Sequence, residues 1–415
     1  MPREMKDSGI KWIGSIPCAW ELSQIGTLYT ERKTKVSDVD YPPLSVTMKG
    51  IVPQLATAAK TDAHDDRKLV RVGDFAINSR SDRRGSCGIS EYDGSVSLIN
   101  TILTPRNTMN PQYYNWLFHS TSFSDEFYSW GHGIVDDLWT TNWQDMKRIQ
   151  IPIPPLAEQK AIADFLDKKC AEIDAVIEQT KTTIEEYKKL KQSVITEAVT
   201  KGIRGDRPMK DSGIEWIGEI PREWEIKVAF QLFKQVKNKN EGLVEQNLLS
   251  LSYGKIKRKS IDTVGGLLPD SFDGYNIIEK DDIVLRLTDL QNDQTSLRVG
   301  LSPERGIVTS AYLTLRNQSE NTPLYLYYYL HCFDVCKGFY GMGAGVRQGL
   351  NWDGLKLLKI ALPLIDEQKE ITTYLEQKCS EIDTLIEKKT ALLAEMETYK
   401  KSLIFEYVTG KKEVV

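Results

Sequence analysis

Apolar side chains recur at spacings of three, four and seven in two stretches of the chain, and charges of both signs fill the positions between. The first seam runs Leu166, Cys170, Ile173, Ile177, Ile184 and Tyr187, with Leu190 and Val194 beyond a small slip. The second runs Leu375, Cys379, Ile382, Ile386, Leu393, Met396, Tyr399 and Leu403. Such stripes predict long helices that need a partner helix. Pro152, Pro154, Pro155 and Pro363 end the preceding strands and let each helix begin. Roughly 40 residues at ~1.5 Å each make a rod of about 60 Å. The expected arrangement is an antiparallel pair with a pseudo-twofold axis and a globular part at each end; the alternative is that each rod packs on its own domain. In the antiparallel case Cys170 and Cys379 are seam residues far apart, not a disulfide.

Elsewhere the pattern shortens to strand-like runs with turns, such as Val72–Asn78 and Asp282–Leu287. Two aromatic stretches, Tyr113–His119 and Tyr325–His331, read as helices. The fold class expected is therefore α+β. Two mixed α/β globular domains lie in pseudo-twofold arrangement, separated by two long antiparallel helices forming a coiled coil. The boundaries read as 1–151 and 205–361 for the globular domains, each with a repeated opening, and 152–204 and 362–415 for the helices.

The chain is an internal duplication. Met5–Glu21 recurs as Met209–Glu225 with 13 of 17 residues identical, and Glu158–Glu178 recurs as Glu367–Glu387 with 12 of 21. The offset grows from 204 to 209 between the two pairs, so the second middle is five residues longer. The middles themselves (about 22–151 and 226–361) diverge. Only Leu103–Asn107 against Leu313–Asn317, and Asn142-Trp143 against Asn351-Trp352, still correspond. Repeated ends with unlike middles suggest one frame presenting two specificities.

Composition narrows the picture modestly. No run of about 18 apolar residues exists, which excludes a membrane-spanning helix, and the N-terminus lacks an apolar signal core, which predicts a cytoplasmic protein. Six scattered cysteines and four histidines argue for free thiols rather than a zinc site. The net charge of −4 does not exclude nucleic acid, because acidic helices can mask a local basic surface.

No catalytic or metal-binding constellation emerges. Gly341–Val346 lacks the strand–turn–helix setting of a dinucleotide site, and there is no phosphate-loop lysine pattern. Asp40-Tyr-Pro-Pro-Leu has the wrong spacing for an amino-methyltransferase motif and reads as a turn. Glu158-Gln-Lys160 and Glu367-Gln-Lys369 fit half of a nuclease motif, but both open a helix, where glutamate suits the dipole. The basic clusters carry more. Arg80, Arg83 and Arg84 follow a strand, with Gly85 and Gly88 available for close backbone approach to a ligand. Lys255, Lys257, Arg258 and Lys259 occupy a comparable part of the second copy. Arg286 ends a strand, Arg347 and Gln348 form a later loop, and Lys49 completes the candidate set. Arginine and glutamine suit base edges, and lysine suits phosphates.

The repeated Lys-Asp-Ser-Gly-Ile-x-Trp-Ile-Gly-x-Ile-Pro-x-x-Trp (Lys6–Trp20, Lys210–Trp224) and the Glu-Gln-Lys-x-Ile openings leading into Glu172-Ile-Asp174 and Glu381-Ile-Asp383 resemble the specificity subunits of type I restriction–modification systems. That resemblance implies two target recognition domains, each reading one half of a split DNA target. It implies helices that set the spacing and dock two methyltransferase subunits, with restriction subunits in the full complex. S-adenosylmethionine, ATP and Mg2+ would sit on those partners and none on this chain. Two rival readings stand beside it: a two-headed protein-binding scaffold and a stand-alone nuclease.

Overall fold

In a computed structural model, which describes residues 3–54, 65–106, 109–133, 139–260, 271–290, 297–343 and 349–414, the chain divides into two units. One comprises Met1–Thr182 with Thr390–Val415, and the other Thr183–Lys389. Each is organised by a short strand buried on both faces. In the first unit this is Phe75–Asn78, inside a four-stranded antiparallel sheet ordered Cys87–Ile89, Phe75–Asn78, Asn100–Pro105, Tyr29–Glu31. Side chains alternate faces along a strand. Phe75 and Ile77 therefore join the large core with the aromatic helices, while Ala76 joins a smaller cluster with Leu44, Ile51, Val70, Val96 and Ile102. The second unit repeats this with Val299–Leu301, Ile283–Leu285, Leu313–Asn317 and Phe233–Gln235. Ile283 and Leu285 face the large core, and Val284 faces Leu249, Ile278 and Val308.

The strand registers correct one correspondence. Leu103 lies opposite Phe75 and Glu31. Its counterpart is Leu315, opposite Ile283 and Gln235, not Leu313. Leu-Thr-x-Arg-Asn is thus a similarity of composition shifted by two residues. The shift keeps the strand's faces and changes which polar residue meets the buried aspartate. Thr104 donates to Asp74 at 2.9 Å, whereas Arg316 holds Asp282 through two bonds of 2.6 and 2.8 Å. In the first unit the arginine on that aspartate is Arg32, from a different strand end.

The aromatic helices span Pro111–His119, followed by Thr121–Ser129, in the first unit and Pro323–Val335 in the second. Proline sits in the first turn of Pro111–His119 and of Pro323–Val335, where its missing N–H costs nothing. The repeated Asn-Trp pairs open short helices: Asn142 accepts from the amides of Gln144 and Asp145, and Asn351 from that of Gly354.

The long helices span Leu156–Lys201 and Ile365–Val408. In the first unit, Leu166, Cys170, Ile173 and Ile177 share a core with Leu403, Ile404 and Val408, and Phe165 packs on Tyr407 with ring centroids 4.4 Å apart. Lys400 binds Asp174 at 2.6 Å. In the second unit, Ile195, Ala198 and Val199 share a core with Ile371, Leu375 and Cys379, and Lys191 binds Asp383 at 2.6 Å. Numbers rise along one segment as they fall along the other, so the segments in each unit are antiparallel. Each segment also packs on its globular part, so the two alternatives for the rods hold together. Two expected seam residues, Leu190 and Tyr399, are exposed instead. Leu190 falls at the slip, where the adjacent Lys191 turns toward Asp383 and Ile195 takes over the apolar contact. At Tyr399 the neighbouring Lys400 likewise reaches Asp174. Cys170 and Cys379 are buried free thiols.

A repeated clamp joins the helices to the opening segments. The indole N–H of Trp20 donates to Glu158 at 2.8 Å, and that of Trp224 donates to Glu367 at 3.2 Å. Arg3 and Arg207 pair with these carboxylates and lie over the same indole rings. The next residue also recurs: Gln159 bonds the Pro154 carbonyl and the Asn110 amide, and Gln368 bonds the Pro363 carbonyl and the Thr322 amide. Tyr113 donates to the Val408 carbonyl, and Tyr325 to those of Val199 and Ala361. Gly410 and Gly202 end the arriving helices with φ of +70° and +78°. A β-carbon there would strike Pro17 and Trp20 in the first unit and meet the Arg207 guanidinium and Glu367 carboxylate in the second, and the left-handed φ favours glycine at both positions.

His331 is buried on the Pro323–Val335 helix beside Tyr327. Burial, with Lys191 adding to it, pushes its pKa down to about 4. A depressed histidine contributes stability above the unfolded value near 6.5 that is lost as pH falls toward the folded value. From pH 7.5 to 5, the intact chain is expected to lose about 2 kcal/mol relative to His331→Gln. Hydrogen exchange of the 323–335 helix measures this, and parallel pH profiles for the two proteins would contradict it.

Candidate nucleic-acid interface

In each unit a β-hairpin lies against the edge strand of the four-stranded sheet, and most of the described candidate residues lie on these two elements or on the loop beside them. The first hairpin pairs Leu44–Thr47 with Gly50–Pro53, and the second pairs Leu249–Ser252 with Lys255–Arg258. Glycine on the edge strand permits the contact. A β-carbon on Gly88 would lie 2.8 Å from the Gly50 Cα, and one on Gly300 would lie 2.6 Å from Leu251. Gly88 is therefore buried under the hairpin and does not approach a ligand, contrary to expectation. Gly85, with φ of +74°, has open space around it.

The hairpin tips carry exposed side chains. Met48 and Lys49, both exposed, form the first; Tyr253, 81% exposed, forms the second with Gly254, which is itself buried against Leu297. Positive φ at both Tyr253 and Gly254 (49° and 75°) is the tight two-residue turn that matches strand twist.

The strand period separates the four basic residues of the second hairpin. Ile256 turns inward to the small core, and Arg258, two residues on, forms a two-pronged pair with Glu304. Lys255, Lys257 and Lys259 share the opposite parity and are all exposed, and Ser252 and Ser250 lie across from Lys255 and Lys257. Residues two apart on a strand are about 6.8 Å apart. The result is a row of cations over small polar neighbours. Arg258 is paired with Glu304 while its side chain stays 72% exposed.

In the first unit the loop between the sheet's central and edge strands carries Arg80, Arg83 and Arg84. Arg83 is exposed, 3.6 Å from Asp82. Arg84 bonds Asp125 at 3.2 Å and lies over the Tyr128 ring. Arg80 is half-buried, with its backbone bridged to Thr140. The Tyr128 hydroxyl donates to the Asn78 and Arg83 carbonyls, pinning the loop's start and middle. Arg286 occupies the start of the equivalent loop in the second unit and is half-buried. Arg347 and Gln348 lie outside the described residues.

One residue of the site escaped sequence reasoning. Arg298 is fully buried, and its guanidinium reaches the carbonyls of Arg286 and Thr288 at 2.9 Å and Asp289 at 3.3 Å. The available signal was an arginine between Leu297 and Val299, inside an apolar run. The Glu158 and Glu367 carboxylates of the half nuclease motif are occupied by tryptophan and arginine, as described above. Among the described residues no group of three or more His, Cys, Asp or Glu side chains is placed to hold a metal ion, and no helix is long and apolar enough to cross a membrane.

The family model for the type I restriction modification DNA specificity domain matches residues 61–186 and 226–395. A putative type I restriction enzyme MjaX specificity subunit from Methanocaldococcus jannaschii is 23% identical over 398 residues, 88% of each chain. The MjaVIII specificity subunit of the same organism is 25% identical over 295 residues, 66% of this chain and 64% of that one. Among solved structures, a chain described with complex assembly and conformational transition of the type I R-M system superimposes with a TM-score of 0.72 at 12% identity, covering 96% of this chain and 99% of that one. The HsdS subunit from Thermoanaerobacter tengcongensis does so with a TM-score of 0.53 at 15% identity, covering 98% and 99%. With both copies matched by the family model, this chain belongs to the type I restriction modification DNA specificity family, whose members are the sequence-recognising subunits of those systems.

Proposed function

We propose that each unit reads one half of a bipartite DNA target, and that the long helices set the gap between the halves and dock two methyltransferase subunits. Adenine methylation with S-adenosylmethionine, and ATP- and Mg2+-dependent restriction, then reside on partner subunits. The observation that carries this reading is the contrast within the duplication. Clamp, aromatic helix, sheet order and hairpin are built twice, whereas the exposed residues on the hairpin and its neighbouring loop differ between copies. A scaffold serving two sequence specificities has this character, because phosphate and base contacts can change without disturbing the buried frame.

The hairpin lysines supply the non-specific part of binding. Each phosphate neutralised contributes about 0.9 to the slope of log affinity against log salt. Replacing Lys255, Lys257 and Lys259 together by serine is expected to lower that slope by about 2 to 3 for the chain in complex with its methyltransferase partners. Filter binding across a salt series measures it. An unchanged slope would remove this face from the DNA contact.

The units divide at Thr182/Thr183 and Lys389/Thr390. A matched heptad inserted at both points preserves every contact within each unit while adding about 10 Å of helix. Methylation mapping is expected to show a longer gap, by at most about three base pairs at ~3.4 Å each, with both half-sites unchanged. A changed half-site sequence would contradict the spacer role.

A further inference from the structure

We infer that Arg298 is a positioning residue for base reading by the second unit, holding the segment Arg286–Leu290 in the shape that presents Thr288 to DNA. The inference rests on the proposed reading of that unit as a recognition domain.

Burying a guanidinium is costly unless its donors are satisfied. Arg298 is fully buried. Its donors go to three main-chain carbonyls of one short segment, those of Arg286, Thr288 and Asp289. Its own backbone is fixed from the other side: the amide donates to Asp334 at 2.6 Å, and the carbonyl accepts from the Arg286 amide at 2.9 Å. Tyr340 lies 3.3 Å from Nε, its ring centroid 5.3 Å from the guanidinium carbon. The segment so held is not otherwise regular. Asp289 adopts φ of +56°, which disfavours an L side chain. Leu287 and Leu290 are driven into the core, leaving Thr288 and Asp289 between them exposed.

The place in the fold identifies the purpose. Ile77 pairs with Cys87 and Leu285 with Val299, so this loop is the counterpart of the one bearing Arg80, Arg83 and Arg84. Nine residues intervene in the first unit and thirteen in the second. The shorter loop is closed by the Asn78 amide on the Ser86 carbonyl and tied to the Tyr128 hydroxyl at Asn78 and Arg83, whereas the described start of the longer one is held by a buried guanidinium. A hydroxyl such as that of Thr288 can serve either a donor or an acceptor base edge, but only from a fixed backbone, which the guanidinium supplies.

The test uses the complex of this chain with its methyltransferase subunits. The probes are duplexes of its mapped target and duplexes carrying single base changes in either half. Arg298→Met and Arg298→Lys are compared with Thr288→Ala, whose exposed side chain leaves folding unaffected. In Arg298→Met, discrimination is expected to fall about tenfold at one half-site and stay at wild-type levels at the other. Arg298→Lys should lie between, and Thr288→Ala should weaken the same half-site, while non-specific affinity and its salt slope stay unchanged. Folded Arg298 variants with intact discrimination would overturn the inference. So would equal loss at both half-sites, or Thr288→Ala matching wild type. A wild-type complex that discriminates at neither half-site would instead sink the underlying reading of the unit.

Discussion

Antiparallel packing of the start of one long helix against the end of the other is the constraint on which each unit depends. The apolar seam supplies most of the favourable free energy: a fully buried leucine or isoleucine contributes about 1.5–3 kcal/mol. Lys400–Asp174 and Lys191–Asp383, partly exposed, contribute less and act mainly to fix register. The glycine-ended helix then meets the tryptophan–glutamate clamp, where a β-carbon would crowd Pro17 and Trp20 in the first unit and Arg207 and Glu367 in the second. In the first unit this ties together residues far apart in sequence, such as Tyr113 and Val408. The repeated sequence segments supply one side of the clamp and of the ion pairs, through Trp20 and Trp224, Glu158 and Glu367, and Asp174 and Asp383, which accounts for their likeness in both copies.

The globular parts are freer because their sheets separate two jobs. The faces carrying Phe75 and Ile77, or Ile283 and Leu285, are committed to the large core. The other face meets only a small cluster under the hairpin. A hairpin seated on glycine can change its tip and its outer face without repacking the main core. Met48-Lys49 and Tyr253-Gly254 are two such tips on one frame.

Much of the frame was legible because helix periodicity and duplication are one-dimensional signals. The seam residues Leu166, Cys170 and Leu375 follow from spacing alone. What eluded spacing was decided by neighbours in three dimensions. The two-residue shift between Leu313 and Leu315 is visible only in strand register. Gly88 is small for the hairpin's backbone, not for a ligand. Arg258 and Lys257 are adjacent in sequence but face opposite sides of a strand; both are exposed, and Arg258 pairs with Glu304. Arg298 reads as surface charge until its carbonyl partners are known. Leu190 and Tyr399 fit the heptad yet point to solvent, because a lysine one residue on each helix reaches a carboxylate on the facing segment.

The central claim is that two unlike heads on one repeated frame read two separated DNA sequences. Mapping N6-methyladenine in DNA from cells expressing this chain with its methyltransferase partner tests it most directly. The account predicts a two-part motif whose halves differ in sequence and are separated by a gap of fixed length and free composition. A single continuous motif, or two halves with a variable gap, would contradict it.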